Sequence, residues 1–204
     1  MRCEGLSVVQ NRMPMIRVWL PEDEAIARFR EWVPWRELEP PAGGLDSGAA
    51  YDRASTGKGW RGVPFHVLGR SDWTDIRPIS CSLRRTPTDR WLQLAARDKL
   101  LFTDFYGPGG FSELILIEGG RVKREFRKSV LHPKSDVDTG RLPFEEKSPL
   151  ATWEDVGDFV YYYFRRDADL PDLGTLLLYE DTGETQRITH WLVNGKRPRR
   201  PDRR

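Results

Sequence analysis

Residues 100–128, LLFTDFYGPGGFSELILIEGGRVKREFRK, contain three alternating segments separated by two glycine turns, and this stretch most constrains what the chain can fold into. Alternation of side chains has a period of two, which belongs to a strand. Gly119-Gly120 is a two-residue spacer of the kind that closes a β-hairpin, because its tight turn needs positive φ at both positions. Gly107 to Gly110 make the other turn. In the second segment Leu114 and Leu116 point one way and Ile115 and Ile117 the other. In the third, Val122, Arg124 and Phe126 alternate with Lys123, Glu125 and Arg127. The spacing predicts a three-stranded antiparallel meander.

Other segments add to this sheet. Met15, Arg17 and Trp19 alternate with Ile16, Val18 and Leu20, as in a strand covered on both faces. VPFHVLG (63–69) and the alternating Ile79, Cys81 and Leu83 of residues 76–86 read as further strands. The final LGTLLLYEDTGETQRITHWLVNG reads as a hairpin turning at Asp181-Thr182-Gly183-Glu184. Helical periodicity appears in three places. After Pro21, the acids Glu22, Asp23 and Glu24 suit the positive end of a helix dipole, and Ile26, Phe29 and Val33 recur at helical spacing. Trp91, Leu94 and Ala95 define a short helix capped by Thr88. Val156, Phe159, Val160, Tyr163 and Phe164 share one face of a helix begun by Thr152 with Asp155 three residues on, near a capping box. The expected class is α+β: a mainly antiparallel sheet of hairpins with two or three packed helices.

Length and charge set the outer limits. The chain has 204 residues, enough for one domain with a sizeable core. We expect an extension over residues 1–12, a single domain over 13–195 and a basic disordered tail over 196–204. That tail carries six positive and one negative side chain; taking its net +5 from the whole chain's +2 leaves −3 for the rest. The body is thus mildly acidic, which argues against a nucleic-acid-binding surface spread over the domain. Lys196, Arg197, Arg199 and Arg200 are the candidate nucleic-acid contacts if the tail binds electrostatically. No apolar run approaches the length of a membrane span and the first residues lack a signal-peptide core, so a cytoplasmic protein with no membrane partner is expected.

Motifs for known chemistry fail on spacing. STGKG (55–59) lacks the Ser or Thr that follows Lys in a phosphate loop, and no helix is expected after it. It lies in residues 36–62, which hold six glycines and read as a long loop. A second loop is expected over 129–150. His66, His132 and His190 show no metal-ligand spacing, and Cys3 and Cys81 form no CxxC pair, so no metal and no cofactor are expected. Glu145-Glu146-Lys147 contains the E-x-K of some nucleases but sits in that second loop rather than on a strand.

Two candidate sites remain. Asp104, among Phe102, Phe105 and Tyr106, stands before a glycine-rich turn. Glu113 lies across that turn, and a hairpin of suitable register would bring the two acids together as a general-base pair. The plainer reading gives Asp104 to backbone N–H groups of the turn. The second candidate is a set of aromatic residues outside regular segments, among them Trp60 and Trp73, of the type favoured in protein interfaces.

Residues 88–128 also resemble small immunity proteins of bacterial polymorphic toxin systems. The matching pieces are Trp91, the acid-aromatic TDFYGPGG, the apolar LILIEGG and the hairpin arm RVKREF. The resemblance implies a non-enzymatic protein that binds and blocks a cognate toxin, with Trp60, Trp73, Asp104, Tyr106 and Glu113 as candidate partner contacts. A hydrolase or nuclease acting near Asp104 and Glu113, and a nucleic-acid-associated protein using its tail, are the alternatives.

Overall fold

The computed structural model describes residues 14–57, 59–79, 83, 85–106, 110–164 and 173–180; at 153 and 161–164 only the backbone is described. Among these residues nine strands form one antiparallel sheet: β1 (Met15–Val18), β2 (Glu37–Leu45), β3 (Val63–Gly69), β4 (Thr74–Pro78), β5 (Leu100–Tyr106), β6 (Phe111–Glu118), β7 (Arg121–Ser129), β8 (Val137–Gly140) and β9 (Gly174–Tyr179). Their order across the sheet is β2-β9-β3-β4-β1-β5-β6-β7-β8. The meander is present, with Tyr106 opposite Phe111 and Glu118 opposite Arg121. Gly119 and Gly120 take φ of +59° and +70°, the conformation a two-residue hairpin turn requires.

Among the described residues four α-helices cover the sheet, where two or three were expected: α1 (Glu22–Trp32), α2 (Ser47–Ala54), α3 (Thr88–Ala95) and α4 (Trp153–Phe164). The period-two pleat gives each strand an inner residue for both faces, so the sheet is the middle of three layers. On one face α1 and α3 bury Phe29, Trp32, Trp91 and Leu94 against Phe65, Phe102, Ile115 and Ile117. Trp91 stacks on Phe102 at 4.2 Å and on Trp32 at 5.2 Å between ring centroids. On the other face α4 packs Val156 and Val160 against Leu101, Leu114, Leu116 and Phe126. The same face near β9 is covered by α2, through Ala50 and Ala54 on Leu176.

Local chemistry explains the helix ends. The Asp155 carboxylate accepts hydrogen bonds from the amides of Ala151 and Thr152 and from the Thr152 hydroxyl, so α4 begins with the expected cap. Those donors hold its carboxyl below the ordinary carboxylate range against the opposing effect of burial. A Cβ at Gly157 would stand 3.4 Å from the Phe105 ring, so the helix meets β5 at van der Waals contact there. Thr88 is the first residue of α3, after Pro87, and its hydroxyl donates to Glu125 rather than capping the helix.

Four sequence expectations need revision. Residues 36–62 are not one loop: β2 and α2 lie inside them, with Asp46 accepting from the Ala49 amide as the N-cap of α2. Pro40 and Pro41 are tolerated because β2 is an edge strand, and its pairing with β9 shifts register three times. Nor is 129–150 a plain loop, since it holds β8 and two 3-10 turns, Pro133–Ser135 and Pro143–Glu146. Finally, β2 flanks β9 on one side and β3 on the other, while the turn and second arm of the hairpin expected there, residues 181–195, lie outside the described residues. The strand expected over 76–86 ends at Pro78, although Leu83 is buried in the core. Residues 1–12, Cys3, Cys81, His190 and the tail lie outside the described residues.

Candidate functional site

The hairpin register that the two glycine turns impose brings the predicted acids together. Asp104 on β5 is the cross-strand partner of Glu113 on β6, and Glu113 is the partner of Arg127 on β7. All three side chains leave the sheet on the face that carries Leu100, Phe102, Ile115 and Ile117 further along. The apolar row thus ends in a charged one. Asp104 and Glu113 are both fully buried.

Burying a carboxylate is costly unless other groups compensate it. Arg127 Nε lies 3.1 Å from both Glu113 Oε1 and Glu125 Oε1. Its other contacts are hydrogen bonds to the Thr86 carbonyl and the Thr88 hydroxyl, each 3.1 Å. The backbone amide of Arg85, a residue held at φ +60°, donates to Glu113 Oε2 at 3.2 Å. One guanidinium therefore serves several acids. Burial pushes the Glu113 carboxyl up to about 7, with Asp104 and Glu125 adding to the rise and Arg127 and the Arg85 amide opposing it. Chemically this is a carboxyl group that exchanges its proton near neutral pH beside a fixed cation.

Glu113 forms part of the wall of a cavity of about 160 Å³, shared with Arg85, Phe111, Arg127, Ser129 and Asp136. The Lys128 ammonium is on the other face of the sheet, over the Phe126 ring at 5.8 Å. Asp136 Oδ1 accepts from the Ser129 amide and ties the turn after β7 to the cavity wall. Beside it the chain exposes two apolar residues in succession, Val130 at 77% and Leu131 at 65%. Val130 is fixed there by a hydrogen bond from its amide to the Gly110 carbonyl.

The other predicted residues are elsewhere. Tyr106 is half-buried at the end of β5, opposite Phe111. Trp60 is half-buried against the α2 cluster, edge-on to Tyr51 at 4.9 Å, with Tyr51 42% exposed. Trp73 lies with its ring 4.6 Å from the Arg17 guanidinium, which is paired with Asp75 in a buried bidentate bridge. Trp60 and Trp73 are thus separate from the Asp104–Glu113 pair, and Lys196, Arg197, Arg199 and Arg200 are outside the described residues. His66 is buried between the Ser47 hydroxyl and the Leu45 carbonyl. Glu145, from the E-x-K, is buried in a bidentate bridge with Arg124 at 2.8 and 2.9 Å. Among the described residues no cluster of three or more His, Cys, Asp or Glu side chains is placed to hold a metal ion. No helix among them is long and apolar enough to cross a membrane.

Arg85, Arg127, Val130 and Leu131 are the site residues that sequence reasoning missed. Arg127 sits in a strand so rich in charge that it reads as solvated. The signal for Val130-Leu131 was an apolar pair placed directly after that strand, in a segment with no periodicity to bury it. Comparison with known proteins gave no match: no family model, no curated protein and no solved structure is significantly similar to the chain.

Proposed function

We propose that this is a non-enzymatic protein-binding domain, of the kind that neutralises a bacterial toxin. The observation that carries the reading is the exposure of Val130 and Leu131, 77% and 65%, beside an open cavity with charged walls. Contiguous apolar side chains in water next to polar groups are the usual mark of a protein contact surface. Trp60 with the exposed Tyr51 offers a second anchor of the residue type that dominates interface energy. The toxin-neutralising assignment rests on the likeness of residues 88–128 to immunity proteins.

The test is affinity capture from the native host with the wild-type chain, Val130→Asp and Trp60→Ala. A stoichiometric protein partner, lost with Val130→Asp while circular dichroism stays unchanged, is the expected result. Equal capture by the wild-type chain and Val130→Asp would overturn the assignment of this surface.

A second reading draws on Glu113, whose carboxyl is raised to about 7 and lies in a cavity wall opposite Asp104. A carboxyl poised near neutral pH is suited to general acid–base work in a hydrolase or nuclease. Under that reading Glu113→Gln abolishes a hydrolytic activity in the purified protein. Under the binding reading no such activity is present to lose.

A further inference from the structure

His66 lies on β3, an interior strand, between Leu176 of β9 and Arg77 of β4. Its ring is buried, and a Cβ at Gly174 would stand 2.9 Å from Nε2, so the ring is closely confined on that side. A carbonyl oxygen only accepts, so the 2.9 Å contact with the Leu45 carbonyl places the proton of neutral His66 on Nε2. Nδ1 then carries a lone pair and accepts from the Ser47 hydroxyl at 3.3 Å. A buried base thus meets the hydroxyl of an exposed residue, the first of α2. Nucleophile, base and a group that orients the base are the parts of an activated hydroxyl. The chain around Ser47 is also open. Gly48 follows it, and a Cβ at Gly44 would meet nothing within 4 Å.

We propose that Ser47 is a reactive serine that accepts an acyl group from a neutral ester, with His66 as its base. The proposal goes beyond the protein-binding reading and does not depend on it, because one covalent transfer per chain needs no turnover. Charge selects the donor. The Asp46 carboxylate, one residue before the hydroxyl, accepts from the Ala49 amide at 2.7 Å and stays at the start of the helix. It repels an anionic donor such as a phosphate ester. The carbonyl carbon of a neutral ester meets no such repulsion.

The step balances without a co-reactant. Ser47 Oγ adds to the carbonyl carbon as its proton passes to His66 Nδ1. The Leu45 carbonyl, accepting from Nε2–H, steadies the imidazolium that forms. The adduct collapses, the ester C–O bond breaks, and the leaving alkoxide takes the proton back from Nδ1. The products are O-acyl-Ser47 and an alcohol. While the adduct lasts, its oxygen is negative. The opening turn of a helix leaves amides without intrahelical acceptors, and its dipole favours negative charge there. Asp46 offsets part of that help.

The experiment treats the full chain with p-nitrophenyl acetate and locates acetyl groups by peptide mass spectrometry, in native buffer and in urea. Ser135 is the internal reference, an exposed serine whose hydroxyl donates to the His132 carbonyl at 2.8 Å. Folded Ser47 should be acetylated at least about 100-fold faster than Ser135, the scale of a positioned base. Urea should bring the two rates together. His66→Gln supplies a hydrogen-bonding amide but no base, and should lower the Ser47 rate to that of Ser135. Equal rates at Ser47 and Ser135 in the folded wild type overturn the proposal, and this comparison decides even where the variant does not fold. An unchanged Ser47 rate in folded His66→Gln overturns His66 as the base.

Discussion

Asp104 and Glu113 face each other across neighbouring strands, both fully buried, with Arg127 on the far side of Glu113. The Asp104 carboxylate adds to the rise of the Glu113 carboxyl. Burial and the facing acid both favour the proton on Glu113, and the arginine is shared with Glu125. The charged row is therefore a structural compromise and a titrating element together.

Stability should depend on pH through Glu113. Its carboxyl is raised from an ordinary 4.5 to about 7 in the folded protein. The native state thus holds this proton to higher pH than the unfolded chain does. The contribution is fully present below about pH 4.5 and is lost as pH rises through about 7, a change on the order of 3 kcal/mol for this one group. Urea unfolding of the wild type and Glu113→Gln across pH 5–8 checks this. The difference between the two should change with pH in that direction, because the variant lacks the titrating carboxyl.

Asp104→Asn removes the charge facing Glu113 and nearly keeps the shape. The Glu113 midpoint should then fall below about 7, as followed by carboxyl ¹³C shifts. An unmoved midpoint would show that the two acids are not coupled across the ladder.

Arg124 and Glu145 are a buried bridge between β7 and the 3-10 turn that follows β8, and Arg124 also reaches Asp138 at 2.7 Å. Replacing Arg124 by Met leaves Glu145 charged and buried, a loss of about 3–5 kcal/mol. Arg124→Met combined with Glu145→Leu should recover much of that loss, since neither buried charge remains. Chemical denaturation of the single and double variants measures the difference.

The alternation through residues 100–128 made the central meander legible, and with it the meeting of Asp104 and Glu113, because a hairpin turn fixes register and register fixes which side chains share a face. The helix after Pro21 was legible for a similar reason: acids, spacing and a terminating proline agree. What local pattern could not convey was long-range pairing. Nothing near Leu176 indicates that β9 lies between β2 and β3. Pro40, Pro41, Gly43 and Gly44 concealed β2, since an edge strand tolerates residues that would break an interior one. Arg124 and Arg127 looked like a solvated face. They are inward-facing because acids from distant segments, Glu145 for one and Glu113 for the other, meet them there.

The most direct measurement is calorimetric titration of the captured partner with the wild-type chain and with a Val130→Asp, Leu131→Asp double variant, each shown to be folded. Placing two charges where apolar side chains dock should weaken binding by about tenfold or more, a loss of at least roughly 1.4 kcal/mol. Undiminished affinity of the double variant would contradict the account, and the partner would have to bind through another surface.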